Sequence, residues 1–159
     1  MHSNFSIIVN TTDSFEDCWL PFFKLFKKYW PEYSGRIYLN TETKEFKYEE
    51  LNIISVKSGL INQPWSECLQ YAINQIEGEY FIYMQEDYFL NNKVNYKSIT
   101  ELYELFENNK FDCLHLTDQC TKGPFDISTV NKNLWEIKKG ADYRASTQAA
   151  FWRKESILE

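Results

Sequence analysis

Three short polar clusters each follow a stretch of sequence that is typical of a buried strand. They are Thr11-Thr12-Asp13, Asn40-Thr41-Glu42 and Gln85-Glu86-Asp87. In an open parallel sheet, ligands bind outside the carboxyl ends of the strands. We therefore expect a ligand site where these three clusters come together.

The third cluster carries the most chemical information, because Glu86 and Asp87 follow a fully apolar stretch, residues 80–84. Carboxylate oxygens at such a place suit Mg²⁺ or Mn²⁺, which proteins hold with one or two carboxylates plus substrate phosphates. A cation would also supply the positive charge that a chain of net charge −6 lacks for binding a diphosphate. The alternative is that both acids merely begin a solvated turn, since acidic residues are mostly exposed.

Short apolar strands alternate with amphipathic helices, which indicates an α/β domain with a mostly parallel central sheet. The predicted strands are residues 5–9, 36–39, 53–56, 80–84 and 111–116, with 147–152 as a candidate last strand. Residues 80–84 are apolar on both faces, as expected of a strand that is covered on both sides. The stretch 118–143 is rich in loop-forming residues, and its sequence favours no particular element.

Three helices are predicted between these strands. The first carries aromatic residues on one face, and Pro21 fits best if the regular helix begins near Leu20, although Ser14 and Asp17 have capping-box spacing. The second runs over residues 65–76, with Pro64 at its start and Gly78 beyond its end. The third is predicted to begin at a capping box formed by Ser98 and Glu101. A short helix is expected from residue 154 onward.

The composition excludes several classes of protein. A hydrophobic share of 43% in 159 residues excludes disorder and is enough for one domain. With 17 basic and 23 acidic residues, the charge argues against a nucleic-acid-binding protein. Only 5 glycines are present, and no glycine-rich phosphate loop occurs. No apolar run of membrane-spanning length and no secretory signal is visible, so we expect a cytoplasmic protein with reduced thiols.

A zinc site is a weaker alternative. Cys113, His115 and Cys120 lie close in sequence, but a structural zinc site needs a fourth ligand, which the sequence does not supply nearby.

The order and spacing of several segments resemble a known family. These segments are Thr11-Thr12-Asp13, Trp19-Leu20-Pro21-Phe22-Phe23, Tyr29-Trp30-Pro31, residues 36–42, Trp65-Ser66, residues 80–90 and residues 147–154. Together they resemble the N-terminal part of GT-A fold glycosyltransferases, closest to the family-two-like enzymes of bacterial surface polysaccharide synthesis. The resemblance covers most of the chain, but no single motif in it is highly specific. It implies a three-layer α/β/α Rossmann-like domain over residues 1–159, transferring a sugar from a nucleotide-sugar donor to a saccharide or lipid-linked saccharide acceptor, with possible peripheral membrane association.

The resemblance also implies roles for individual residues. Thr11, Asp13, Thr41, Trp65, Ser66 and Glu86 would bind the nucleotide, Asp87 would hold Mn²⁺ or Mg²⁺, and Tyr143, Gln148 and Trp152 would face the acceptor. Gln85 stands where the family's Asp-x-Asp motif has its first acid, so the motif is degenerate. Each role has a structural alternative: Thr11 and Asp13 could cap the following helix, and Trp65 and Trp152 could be core residues.

The resemblance leaves the catalytic base unidentified. In the family the base lies beyond the segment that residues 152–154 resemble, and a late histidine ligand has no counterpart here. Asp118, Asp126 and Asp142 are possible substitutes, and nothing in the sequence selects one. We therefore expect the chain to be a fragment or a reduced relative, and to turn over poorly alone. Alternative functions are a non-catalytic nucleotide-sugar or partner-binding module and, less favoured, a sugar nucleotidyltransferase.

Overall fold

The computed structural model describes residues 5–117, 122–142 and 144–158, and these form an α/β structure. The strands are β1 Ser6–Asn10, β2 Arg36–Asn40, β3 Asn52–Ser55, β4 Tyr80–Gln85, β5 Cys113–His115, β6 Phe125–Ile127, β7 Trp135–Ile137 and β8 Ala150–Arg153. The helices are α1 Glu16–Tyr29, α2 Trp65–Gln75, α3 Tyr96–Asn109 and α4 Lys154–Leu158, with a 3₁₀ turn at Asp13–Phe15.

Six of the strands form one sheet in the order β3-β2-β1-β4-β8-β5. Strands β1 to β4 pair in parallel, whereas β8 lies antiparallel to both of its neighbours, β4 and β5. Five strands therefore run in one direction, which confirms the mostly parallel sheet. Strands β6 and β7 form a separate antiparallel hairpin.

Helices cover both faces of this sheet. Successive residues of β1, such as Ile7 and Ile8, belong to two different hydrophobic cores, because successive side chains of a strand point to opposite faces. The first core contains apolar residues of α1 and α3, and the second contains apolar residues of α2 and α4. Strand β4 is buried along its apolar length in the middle of the sheet, as its sequence predicts.

The start of α1 differs from the prediction. The helix begins at Glu16 rather than near Leu20, so Pro21 lies inside it and not in its first turn. Proline has no N–H to donate to the carbonyl four residues earlier, which belongs to Asp17. Both Pro21 and Asp17 are exposed, so water can satisfy that carbonyl group. The Ser14–Asp17 capping box is also absent, because Ser14 lies in the 3₁₀ turn.

Other boundaries shift as well. Helix α3 begins at Tyr96 and is capped by Asn95, whose Oδ1 accepts from the backbone N–H of Ser98 at 3.2 Å, so the predicted capping box is wrong. Helix α2 ends at Gln75, and Gly78 beyond it has a φ of 96°, which favours glycine. Strand β5 covers three residues rather than six, and β8 begins later than expected.

In the portion of the chain that the structure describes, none of the helices combines the length and the apolar character needed to cross a membrane.

Candidate functional site

A row of three amide side chains lies where the parallel strands end. Asn10 pairs in register with Asn40 of β2 and with Gln85 of β4, so the three residues lie side by side. Asn40 Nδ2 donates to Asn10 Oδ1 at 2.8 Å, and both residues are almost fully buried. Because buried amides need hydrogen-bond partners, this pair sets the distance between β1 and β2 at the carboxyl edge.

Tyr83 lies two residues before Gln85 on the same face of β4, the face that packs against α2 and α4. Its hydroxyl group is buried without a well-formed hydrogen bond, although the side chains of Asn10 and Gln85 are nearby. Burial raises the pKa of Tyr83, so the hydroxyl keeps its proton and remains a hydrogen-bond donor.

A cavity of about 250 Å³ opens on this face, between the first turns of α2 and the segment that leads into β8. Its walls are Trp65, Ser66, Leu69, Gln70, Ile73, Tyr83, Ala145, Ser146, Thr147, Trp152 and Ile157. The Nε1 of Trp152 is also buried without a hydrogen-bond partner. Among the residues that line the cavity, Trp152 carries an N–H without a partner, whereas the Tyr83 hydroxyl has the side chains of Asn10 and Gln85 beside it. A buried donor that stays unsatisfied costs about 1–3 kcal/mol. A buried donor without a partner in a residue that lines a cavity marks a candidate ligand site, because a ligand there could supply the missing acceptor.

Three of the residues singled out from the sequence, Trp65, Ser66 and Trp152, meet in this cavity. Trp65 is 50% exposed, so the alternative that it packs in the core is wrong. Trp152 is 7% exposed and does belong to a core, yet it also presents its edge to the cavity. Whether the three bind a nucleotide or an acceptor stays a prediction.

Thr11 and Thr41 lie at the same edge of the sheet, but their side chains bind other parts of the chain. Thr11 Oγ1 accepts a hydrogen bond from Trp19 Nε1 at 2.9 Å, and Thr41 Oγ1 accepts one from the backbone N–H of Lys57 at 3.2 Å. Both threonines are buried. Their hydroxyl groups therefore hold α1 and the residues after β3 against the carboxyl ends of the strands.

Asp13 ties two loops together. Its carboxylate accepts hydrogen bonds from the backbone N–H groups of Glu42, Thr43 and Lys44, and from the Thr43 hydroxyl at 2.6 Å. Partial burial alone would raise the pKa of Asp13, but the hydrogen bonds from Thr43 and Glu42 outweigh it and hold the pKa below its ordinary value. The alternative that Asp13 caps the following helix is not observed. Its side chain instead positions residues 42–44 beside the site.

Glu86 and Asp87 point in different directions from the end of β4. Glu86 is 8% exposed and lies beside Thr11, whereas Asp87 is exposed to solvent. Burial, and then the charge of Asp87, raise the pKa of Glu86 above its ordinary value. The charges of both acids also raise the pKa of the Cys18 thiol, after the larger effect of its own burial. Both acids therefore lie close enough to the start of α1 to affect Cys18.

The donor set at this edge fits a cation that arrives with its own oxygen ligands. Within residues 5–117, 122–142 and 144–158, no three His, Cys, Asp or Glu side chains are grouped so that they could hold a metal ion. Asp87 supplies one exposed carboxylate, whereas the Glu86 side chain is buried beside Thr11. One carboxylate suits Mg²⁺ or Mn²⁺ bound together with substrate phosphates, which would complete the coordination.

Gln148, which is predicted to face the acceptor, lies beside a residue that follows β4. Gln148 Nε2 donates to the Tyr88 hydroxyl at 3.1 Å, which links the segment before β8 to the residues after Asp87. Tyr143 and Asp118 lie outside the described residues. Asp126 forms an ion pair with Lys138 at 2.9 Å in the hairpin, and neither it nor Asp142 lines the cavity.

Cys113 and His115 lie together on β5, with Sγ and Nε2 3.7 Å apart. The Nε2 of His115 also lies 3.2 Å from the carbonyl oxygen of Arg144. That carbonyl can only accept, so Nε2 carries the proton of the neutral ring. Burial lowers the pKa of His115 and favours this neutral form. Cys120, the third candidate zinc ligand, lies outside the described residues.

Sequence reasoning missed Asn10 and Tyr83 as parts of the site. Asn10 was hidden at the end of an apolar strand, and Tyr83 was indistinguishable from its buried neighbours. A usable signal was the two-residue spacing of Tyr83 and Gln85, which places both side chains on one face of β4.

The raised pKa of Glu86 yields a testable pH dependence. A carboxyl group with a raised pKa binds its proton more tightly when folded, so stability falls as pH rises from the unfolded value, 4.5, through the folded one. We expect Glu86→Gln to raise the melting temperature at pH 7, and this advantage to disappear below about pH 4.5. Melting curves between about pH 4 and 8 measure it.

Glu104→Gln, an exposed change on α3, serves as the control and should shift the melting temperature little at any pH. A Glu86→Gln variant that is less stable than the parent at pH 7 would contradict the assignment of Glu86 as a destabilising buried acid.

No protein-family model matches the chain, and no curated protein matches it at a significant level.

Proposed function

We propose that this chain is the donor-binding part of a glycosyltransferase with the GT-A Rossmann-like fold. It would act on a nucleotide-sugar donor and a saccharide or lipid-linked saccharide acceptor in surface polysaccharide synthesis, on the cytoplasmic side of the membrane. The observation that carries the proposal is the cavity at the carboxyl edge, whose walls include two predicted nucleotide-binding residues, Trp65 and Ser66, and Trp152, whose N–H has no partner in the fold.

The cavity suits a ligand that combines ring faces with oxygen acceptors. Trp65 offers a half-exposed aromatic face, while Trp152 Nε1 and the Tyr83 hydroxyl offer donors in an otherwise apolar setting. A nucleotide sugar presents both a base and a sugar ring that carry hydrogen-bond acceptors. Binding such a ligand would offer an acceptor to the Trp152 N–H and recover its desolvation cost.

The acidic pair suits the diphosphate of the same ligand. A cation held by Asp87 would stabilise the negative charge that develops on the leaving diphosphate. Glu86 lies behind it, next to Thr11, and would bind the ribose or support the site's charge. Asp13 would act indirectly, because its carboxylate holds residues 42–44 in place.

The end of the chain supports the same proposal. Strand β8 passes directly into α4, which agrees with the strand-to-helix segment that the resemblance implies beside the acceptor. Gln148 lies at the start of that segment, on the predicted acceptor side. Trp152 lies within it, and we assign it to the donor instead of the acceptor, because it lines the same cavity as Trp65 and Ser66. A carboxylate base on the acceptor hydroxyl is still required for inverting transfer. The described residues that line the cavity are hydroxyl, amide, aromatic and aliphatic, which suit binding rather than proton transfer.

Trp152→Phe separates a ligand-binding role from a structural one. It removes the N–H while retaining an aromatic ring, so we expect nucleotide-sugar affinity to fall about threefold to tenfold. The melting temperature should change little, because the lost N–H has no partner in the fold. Calorimetric titration with uridine, guanosine and cytidine diphosphate sugars in Mn²⁺ measures the affinity, and Trp135→Phe in the hairpin is the control.

Three outcomes are informative. If no nucleotide sugar binds the parent chain, or if Trp152→Phe binds as tightly as the parent, the cavity is not the donor site. Binding without transfer to any saccharide acceptor, even in the full-length protein, would favour the nucleotide-sugar-binding module over the enzyme.

A further inference from the structure

The hairpin of β6 and β7 presents an apolar face to solvent. Phe125 and Ile127 pair in register with Ile137 and Trp135, so these four side chains share one face of the ribbon. We call this set the hairpin face. Trp135 is 66% exposed, Ile127 62% and Phe125 38%, and the rings of Phe125 and Trp135 touch edge to face.

The hairpin face belongs to neither hydrophobic core of the described structure. Neither hydrophobic core includes a residue between Thr117 and Ala149 among those described. A two-stranded ribbon alone is only marginally stable in water. A group of exposed aromatic and branched side chains of this kind marks a surface that another body covers.

The charges around the hairpin indicate what kind of binding partner covers the hairpin face. Residues 122–144 carry five basic side chains, Lys122, Lys132, Lys138, Lys139 and Arg144, against three acidic ones, Asp126, Glu136 and Asp142. This stretch is therefore basic in a chain whose net charge is −6.

The acidic side chains of the strands lie away from the hairpin face. Asp126 and Glu136 are opposite each other in the register, on the other side of the ribbon. Asp126 is also paired with Lys138 at 2.9 Å. Lys122 precedes β6, Lys132 lies in the turn, and Lys139 follows β7, so lysines stand at both ends of an apolar face.

We propose that the hairpin face docks on an anionic lipid surface. Aromatic and aliphatic side chains enter the boundary between headgroups and acyl chains, while lysines at the rim meet anionic headgroups. A second copy of the chain is a poorer occupant, because a symmetric pair of hairpins would bring basic segments together. The docking itself does not depend on the proposed function, whereas its consequence for a lipid-linked substrate rests on it.

The position of the hairpin gives this docking a consequence. The chain runs from β7 into Ala145, Ser146 and Thr147, which form one wall of the cavity. Docking would hold this wall at the lipid surface, where a lipid-linked substrate would be found.

Sedimentation with lipid vesicles tests the proposal directly. Phosphatidylcholine vesicles containing about one third phosphatidylglycerol should bind the protein, pure phosphatidylcholine vesicles should bind it weakly, and about 0.5 M salt should release it by screening the lysines. We expect Trp135→Ser to lower the partition coefficient about fivefold to tenfold, and Lys132→Glu or Lys139→Glu about fivefold each.

Matched controls lie on α1, on the first face of the sheet. Leu20→Ser and Lys24→Glu change an exposed apolar and an exposed basic residue there, and both should leave vesicle binding unchanged. Circular dichroism of every variant checks that the fold is retained. As a second readout, brominated lipid should quench the fluorescence of a variant in which Trp135 is the only exposed tryptophan.

The proposal is overturned if anionic vesicles fail to bind the parent, or if the hairpin and α1 variants lose binding equally. Concentration-dependent dimerisation in sedimentation velocity that Trp135→Ser abolishes, without vesicle binding, would assign the hairpin face to a second copy instead.

Discussion

Replacing Asp87 by asparagine is expected to weaken Mn²⁺-dependent binding of a nucleoside diphosphate by about tenfold to a hundredfold. The change keeps the size of the side chain but removes the charge, and hard cations prefer anionic oxygen ligands. Asp87 is exposed and follows directly from the buried strand β4, so its backbone is held in place while its carboxylate faces solvent. Folding should therefore change little.

Glu86→Gln is the matched variant for this experiment, because it removes the neighbouring charge. Its side chain points inward toward Thr11, so we expect a smaller loss of Mn²⁺-dependent affinity than in Asp87→Asn. Calorimetric titration of uridine diphosphate, with and without Mn²⁺, compares the two. Unchanged metal-dependent affinity in a folded Asp87→Asn variant would return Asp87 to the role of a solvated turn residue.

Phe151→Ala is expected to lower the free energy of unfolding by about 3–5 kcal/mol. Phe151 is fully buried in β8, and its ring contacts those of Phe5, Tyr103 and Phe106 at centroid distances of 5.4, 5.7 and 5.6 Å. Truncation leaves a cavity among rigid rings that cannot collapse to fill it. The expected loss is a large part of the stability of a domain this size.

Urea denaturation measures this loss, with Phe89→Ala as the control, because Phe89 is 44% exposed and its truncation should cost far less. If Phe151→Ala does not fold, Phe151→Leu keeps much of the volume and should give a smaller, measurable loss. Equal stabilities of Phe151→Ala and Phe89→Ala would show that β8 is not anchored through this ring.

Phe151 and Trp152 are successive residues of β8, and their side chains lie on opposite faces of the sheet. Phe151 anchors β8 to the face covered by α1 and α3, while the adjacent Trp152 belongs to the core of the other face and lines the cavity there. Stability and ligand binding are thus assigned to successive residues, which explains why Trp152→Phe and Phe151→Ala should have separable effects.

The amino-acid sequence by itself determined the class of fold and the edge of the sheet at which its polar clusters lie. Alternating strands and amphipathic helices, and the doubly apolar stretch of β4, are local patterns, and local periodicity reports which faces are buried. The polar clusters after β1, β2 and β4 were visible for the same reason. The parallel direction of these strands then brings the clusters to one edge, because helical crossovers require it.

Only the tertiary structure decided which polar side chains form hydrogen bonds within the fold and which do not. Thr11, Asp13 and Thr41 are predicted ligand contacts by type and position, yet their oxygens bind Trp19, residues 42–44 and Lys57. The bonded residues are 8, 16 and 29–31 positions apart in sequence, beyond the reach of helical or strand periodicity, so no local pattern reveals them.

The same holds for the cavity, the hairpin and the helix start. Tyr83 and Trp152 are separated by many residues, and only the insertion of β8 beside β4 makes both line one space. The hairpin depends on the register between β6 and β7, whose sequences have little periodic pattern. The place of Pro21 inside α1 depends on water reaching the carbonyl group of Asp17. Such features arise from long-range packing and from solvation, and sequence periodicity reports only on residues within one helix or strand.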